Sequence, residues 1–246
     1  KYTMKLTIIV PCRYASTNLY KLVESVKAQT HEDWEMFISV DADEGTYGLA
    51  AAIADTDSRI HALTSGFRRY ALRNIIETIE DQQITGPVGI IDGDDYLMNN
   101  KTFELVMTAY KAGHQVVWTN MTSDDVNFVS NNQQMPIGID PYKAPWVSSH
   151  FRTFDASLLN YIDQRNFMEA PGNWFKRGYD QALMLPLLHV CNHLGFTYKY
   201  VDEICYMYNH SGSATPTAEH TNGRYESNIV NFVRTRGYVG ELGMLE

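Results

Sequence analysis

Three carboxylates fall within four residues at Asp92-Gly93-Asp94-Asp95, directly after the apolar pair Ile90-Ile91. Acids this close repel one another, so gathering them is costly unless a cation or hydrogen-bond donors offset the charge. Oxygen-only ligands suit hard cations such as Mg²⁺ or Mn²⁺, which bridge to substrate phosphates. Gly93 permits a tight turn and a close approach of ligand to backbone. A solvated Asp-Gly turn fits the same four residues, since both types are good turn formers. A second acidic element, Asp41-Ala42-Asp43-Glu44-Gly45, follows another apolar run. Arg68, Arg69 and Arg73 make a local basic cluster, read either as a solvated helix face or as a site for phosphate oxygens. His189 and His193 stand one helical turn apart around Cys191, which resembles half a zinc site. The Glu of H-E-x-x-H and a second Cys/His cluster nearby in sequence are missing, so packed helix histidines are the better reading.

Buried strands and amphipathic helices must hold these residues in place. Leu6–Val10 is a continuous apolar run, as expected of a strand covered on both faces. Ser16-Thr17-Asn18 offers helix-capping oxygens, and Leu19, Leu22, Val23 and Val26 follow at helical spacing to about Gln29. Further strands are expected over 35–40, 59–64, 87–91 and 115–119, with helices over 47–54, 70–79 and 103–112. This alternation predicts an α/β fold with a parallel central sheet and helices on both faces. Ligands in such sheets bind beyond the carboxyl ends of the strands, where both acidic elements fall. Residues 121–150 are polar, with three prolines, and read as a long loop of the lid or binding type. Helical patterning is expected to resume at Phe151, with a helix over 179–194 interrupted by Pro186. Two short strands over 196–201 and 204–208, a Ser/Thr/Gly/Pro stretch and a last helix over 225–235 complete the reading. We find no internal repeat and no linker that splits the chain. The expectation is one domain over 1–246, in two parts at about 4–120 and about 121–246.

The chain has 246 residues, of which 20 are Lys or Arg and 29 Asp or Glu, a formal net charge of −9. That balance argues against a general coat for DNA, which needs basic charge to displace phosphate counterions. With 44% apolar and 20% charged residues, a substantial core forms and disorder is excluded. No apolar run approaches the ~20 residues of a membrane span. Three cysteines without CxxC spacing, and an N-terminus lacking a signal-peptide pattern, lead us to expect a cytoplasmic protein. P-loop, G-x-G-x-x-G and G-x-S-x-G motifs are absent, so kinase, dehydrogenase and hydrolase readings lack their signatures.

Taken in order, several segments resemble the family 2 glycosyltransferases of GT-A fold. Thr7-Ile8-Ile9-Val10-Pro11-Cys12-Arg13-Tyr14 is similar to the family's opening strand and V-P-x-(Y/R) turn. Val40–Gly45 resembles V-D-D-G-S, Ser65–Asn74 resembles N-x-G-…-A-R-N, and Asp92–Asp95 stands where D-x-D-D is expected. Gly178-Tyr179-Asp180 is similar to the E-D region and Tyr206–His210 to the closing Y-x-(Y/x)-x-H segment; together these cover roughly residues 5–213. The resemblance implies a nucleoside-diphosphate-sugar donor, with UDP the nucleotide expected, bound by the part at about 4–120, an acceptor bound by the part at about 121–246, and an Mn²⁺ or Mg²⁺ cofactor. It implies that Asp41 bonds the nucleobase, with Pro11 and Arg13 lining that pocket, and that Arg73 sits near base or phosphate. It places Asp92 and Gly93 at the ribose or metal-bound water, Asp94 and His210 on the metal, and Asp180 as the base that deprotonates the acceptor. Ala42 and Tyr179 depart from the family's acids at their positions. Trp146 and Trp174 are candidates to stack on an acceptor sugar, or are ordinary packing aromatics. The acceptor is expected to be a glycan, a lipid-linked sugar or a protein, with a modified nucleic-acid base as a lesser option. A nucleotidyltransferase and a non-catalytic nucleotide-sugar-binding module are the alternative functions.

Overall fold

A computed structural model of the chain describes residues 4–15, 18–210 and 223–242, without the side chains of 223–225. Ser16, Thr17 and most of the Ser/Thr/Gly/Pro stretch after Ser211 lie outside the described residues.

The elements run β1 (Leu6–Cys12), α1 (Leu19–Lys27), β2 (Trp34–Val40), α2 (Glu44–Ala54), β3 (Ile60–Thr64), α3 (Tyr70–Asp81), β4 (Pro87–Ile90), β5 (Tyr96–Leu97) and α4 (Thr102–Lys111). β6 (Val116–Ser123), β7 (Arg152–Asp155), two 3₁₀ turns, β8 (Met168–Ala170), β9 (Asn173–Trp174), α5 (Tyr179–Leu194), β10 (Tyr198–Tyr208) and α6 (Gly223–Arg236) complete the chain. Eight strands form one sheet in the order β3-β2-β1-β4-β7-β6-β10-β5. β3, β2, β1 and β4 are parallel, as are β6 and β10; β7 runs antiparallel to both β4 and β6, and β5 antiparallel to β10.

Alternating side chains build a core on each face of this sheet. Leu6, Ile8 and Val10 of β1 pack with α1, α2 and α4, while Ile9 packs with α3 and α5. Val117 and Trp118 of β6 divide in the same way. Helices on both faces and a mostly parallel α/β sheet are therefore as the sequence implies. The strands emerge one beside another, so Pro11, Asp41 and Asp92 meet at one edge.

Three expectations need correction. Phe151 opens no helix: Arg152, Thr153 and Phe154 are fully buried in β7, wedged between β4 and β6, where a chain in the middle of a sheet is covered on both faces. Pro186 does not interrupt α5, which is continuous over sixteen residues. Burial of Leu183, Leu185, Leu187 and Leu188 around it holds the helix together despite the missing donor. The two expected C-terminal strands are one, β10, whose register to β6 shifts between Val201 and Ile204 and again before Tyr206, as a bulge does. The segment over 124–150 is irregular, as expected, and packs on the core. Met135, Tyr142, Ala144 and Val147 are buried in the core, and the buried Asn132 amide donates to Thr119 O at 2.9 Å and His150 O at 2.8 Å.

Gly89 allows β7 to approach. A Cβ there would stand 2.5 Å from Phe151 Cζ and 3.1 Å from Ile8 Cδ1, and Phe151 is fully buried. Gly89→Ala is therefore expected to destabilise the fold by about 1–3 kcal/mol through overpacking, read from the midpoint of urea unfolding.

Candidate active site

The edge formed by the ends of β2, β1 and β4 encloses a cavity of about 300 Å³ whose walls include Pro11, Arg13, Asp41, Asp92, Gly93 and Asp94. Six of the residues named from the sequence are thus brought together. Gly93 is required by the crossing of the acidic turn over β1: a Cβ there would overlap Cys12 Cβ, and its amide donates to Pro11 O at 3.3 Å. Burial, with Asp43, Asp41 and Asp94 nearby, pushes the Cys12 thiol up to about 12, so it stays protonated.

Asp41 caps the turn into α3. Its carboxylate accepts from Arg69 N at 2.5 Å and Tyr70 N at 3.0 Å, and Arg68 Nε lies 3.8 Å away. Arg13 Nη1 donates to Asp41 O at 3.4 Å and Nη2 to Tyr14 Oη at 2.7 Å. Of the local basic cluster, Arg68 lines the cavity. Arg73 does not; it pairs with Glu77 at 2.6 Å one helical turn on, and Arg69 pairs with the same Glu77 at 2.9 Å. The helical register sends both along α3 and away from the cavity, which leaves Arg68 as the member of the cluster on its wall.

The acidic turn has an inner and an outer side. On the inner side, Tyr206 Oη accepts from Asp92 N at 3.1 Å and donates to Asp95 Oδ2 at 2.7 Å, while Asn209 N donates to Asp95 Oδ1 at 2.9 Å. Burial first, then Asp92 and Asp94, push the Asp95 carboxyl up to about 8. Arg152, buried beneath, donates through Nη2 to Asp92 Oδ2 at 3.3 Å and to Tyr179 Oη at 2.8 Å. Tyr179 donates in turn to Asp92 Oδ1. His150 stacks on Tyr206 with ring centroids 4.5 Å apart, and its Nε2 lies 3.7 Å from Asp92 Oδ2. Burial, with Arg152 adding, pushes His150 well below the usual imidazole range, so it is neutral. On the outer side, Asp92 and Asp94 face the cavity.

Among the described residues, Asp92, Asp95 and His150 place ligand atoms within 4.8 Å of one another, a composition able to hold a metal ion. The Arg152 guanidinium already donates to Asp92 there and lies 3.1 Å from His150 Nδ1. Asp94, on the cavity wall, is the carboxylate better placed for a hard cation that must also meet a diphosphate.

Asp180 is half-buried in the first turn of α5, a placement that suits a negative charge, and its charge is felt at Asp92, Arg152 and Arg234. His210 is exposed beyond the end of β10, its amide donating to Asp124 Oδ1 at 2.8 Å, and it is not among the cavity's walls. Trp174 is buried against Phe167 with ring centroids 6.3 Å apart, so packing removes it from any sugar. Trp146 lies outside the cavity and lines a separate hollow of about 490 Å³ with Ser130, Asn131, Asn132, Gln133 and Pro145. His189 stacks on His193 at 4.0 Å and Tyr238 at 4.4 Å, as packed helix histidines do.

Sequence reasoning placed none of His150, Arg152 and Lys176 at this site. The first two are on β7 or the residues leading into it, which carried no recognised strand signal. Lys176 and Glu226 complete the cavity wall from segments distant in sequence.

The family described as Glycosyl transferase family 2 matches residues 7–181, the stretch that runs from β1 to the first turn of α5. The chain belongs to that family. No curated protein matches the sequence. S. aureus TarS 1–349 superposes with a TM-score of 0.65 at 14% identity, covering 97% of this chain and 67% of that one. Its complex with UDP-GlcNAc gives 0.64 at 14%, covering 97% and 68%. The mannosyltransferase PcManGT from Pyrobaculum calidifontis, in complex with GDP-Man and Mn²⁺, gives 0.57 at 16%, covering 94% and 61%. These likenesses show the fold, which is that of a glycosyltransferase. Among the described residues no helix is long and apolar enough to cross a membrane.

Tyr206 supports this family 2 site from beneath by satisfying a buried amide and a buried carboxyl at once. Tyr206→Phe is expected to cost about 1–3 kcal/mol of unfolding free energy, measured by urea denaturation, because both partners stay buried without it.

Proposed function

We propose that the protein is a metal-dependent, inverting glycosyltransferase that moves a sugar from a UDP-sugar to an acceptor hydroxyl. The observation that carries this reading is the cavity in which Asp41 and Arg13 share walls with Asp92 and Asp94. Asp41 and Arg13 suit a nucleobase and ribose, and Arg68 and Lys176 suit phosphate oxygens. TarS solved with UDP and with UDP-GlcNAc, and PcManGT with GDP-Man and Mn²⁺, support a nucleotide-sugar donor in a site of this fold.

Asp94 would hold Mn²⁺ or Mg²⁺, with Asp92 meeting water bound to the ion, and the ion would neutralise charge on the departing diphosphate. Asp180 takes the proton of the acceptor hydroxyl as that oxygen bonds to the anomeric carbon and the bond to the diphosphate oxygen breaks. A single displacement of this kind inverts the anomeric configuration. The hollow beside Trp146 is lined by neutral amides, which supports a glycan among the possible acceptors. All three cysteines are free and buried, which supports a cytoplasmic setting.

Incubation with a panel of nucleoside-diphosphate sugars in Mn²⁺, in Mg²⁺ and in EDTA tests the reading. Release of UDP from a UDP-sugar, stopped by EDTA, is expected; no release from any donor contradicts catalysis. Asp94→Ala is expected to remove the metal-dependent part of UDP binding in calorimetry. Asp180→Asn is expected to bind UDP normally and to turn over ~10²–10⁴-fold more slowly, the loss of a general base.

A further inference from the structure

Arg152 is an unusual residue to find where it is. Its side chain is 1% exposed, and Nε and Nη1 are buried without a hydrogen-bond partner among the described residues. A buried ion offsets its desolvation only when its hydrogen bonds are well satisfied, and apolar residues often do as well or better for stability. One nitrogen, Nη2, reaches Asp92 at 3.3 Å and Tyr179 at 2.8 Å, with His150 Nδ1 at 3.1 Å beside them. Asp92 stands two residues beyond β4, on the cavity wall, and Tyr179 immediately precedes Asp180 at the start of α5. Tyr179 also donates directly to Asp92, closing a three-membered ring of contacts across 87 residues of sequence.

We propose that Arg152 is a positioning residue: through Asp92 and Tyr179 it clamps the strand end that holds the donor to the helix start that carries Asp180. The inference rests on the glycosyltransferase reading and adds to it what sets the spacing between base and leaving group. In-line displacement needs the two on opposite sides of the anomeric carbon. Tyr179 takes part in this clamp where the family's pattern has an acid, so its hydroxyl has a structural role that a carboxylate facing Asp92 could not fill without repulsion.

The test compares Arg152→Lys, which keeps the charge and loses the planar fork, with wild type on the UDP-sugar that wild type turns over fastest. Arg152→Lys is expected to lower kcat by about 10²-fold, the cost of a misplacement near 1 Å. UDP affinity with Mn²⁺, by calorimetry, is expected to stay within about threefold, the signature of lost transition-state geometry rather than lost binding. An unchanged kcat in the folded variant overturns the proposal, as does a loss of UDP affinity in step with kcat. Should Arg152→Lys fail to fold, Tyr179→Phe breaks the other contact and is read against the same two outcomes. Should wild type turn over no donor, the functional reading fails, and the clamp is judged by thermal melting. Arg152→Met is then expected to lower the melting temperature by about 10 °C. Adding Asp92→Asn is expected to recover most of that loss, since it removes the charge left unpaired. No recovery overturns the Asp92 contact.

Discussion

Like charges crowded at the end of β4 are the constraint around which this structure is arranged. Asp92, Asp94 and Asp95 cannot all be ionised and buried together without compensation. The protein meets the inner part of that demand itself. Arg152 supplies a fixed cation to Asp92, Tyr206 and the Asn209 amide supply donors to Asp95, and burial holds the Asp95 carboxyl up near about 8. The outer part, Asp94, stands on the cavity wall, where we propose that an exchangeable cation completes it.

Much of the tertiary structure follows from building that inner wall. β7 enters antiparallel between two strands of a mostly parallel sheet and delivers Arg152 beneath the turn. Gly89 makes room for the neighbouring Phe151, and Gly93 lets the acidic turn cross the end of β1. β10 brings Tyr206 from the far side of β6, and α5 brings Tyr179. α6 secures this arrangement, with Arg234 donating to Gln181 on α5 at 2.7 Å and to Ala144 O in the segment after β6 at 2.8 Å.

The parts legible in the sequence are those whose signals are local. Leu6–Val10 declared a buried strand, the 3.6-residue spacing of Leu72, Ile75, Ile76 and Ile79 declared a helix, and the acidic turns declared the strand ends that form the cavity. Non-local partnerships were not legible. Nothing near residue 152 announces a partner at Asp92, sixty residues earlier, and a four-residue strand with a buried arginine lacks both alternation and an apolar run. The choice among Arg68, Arg69 and Arg73 is instructive in a different way. Glu77 stands four residues after Arg73, a spacing that makes helix-surface ion pairs. Arg68, just before α3, lies beside Asp41 and lines the cavity. Trp174 shows the limit of residue type as a guide, since an aromatic offers the same chemistry to a core as to a sugar.

The division of the acidic turn into a side compensated from within and a side completed by an ion is most directly tested by counting bound Mn²⁺ with electron paramagnetic resonance, with and without UDP. The account predicts a single Mn²⁺ per chain, held more tightly when UDP is present and released by chelator together with most of the nucleotide. Full retention of UDP after chelation, with no Mn²⁺ bound at any nucleotide concentration, would contradict it.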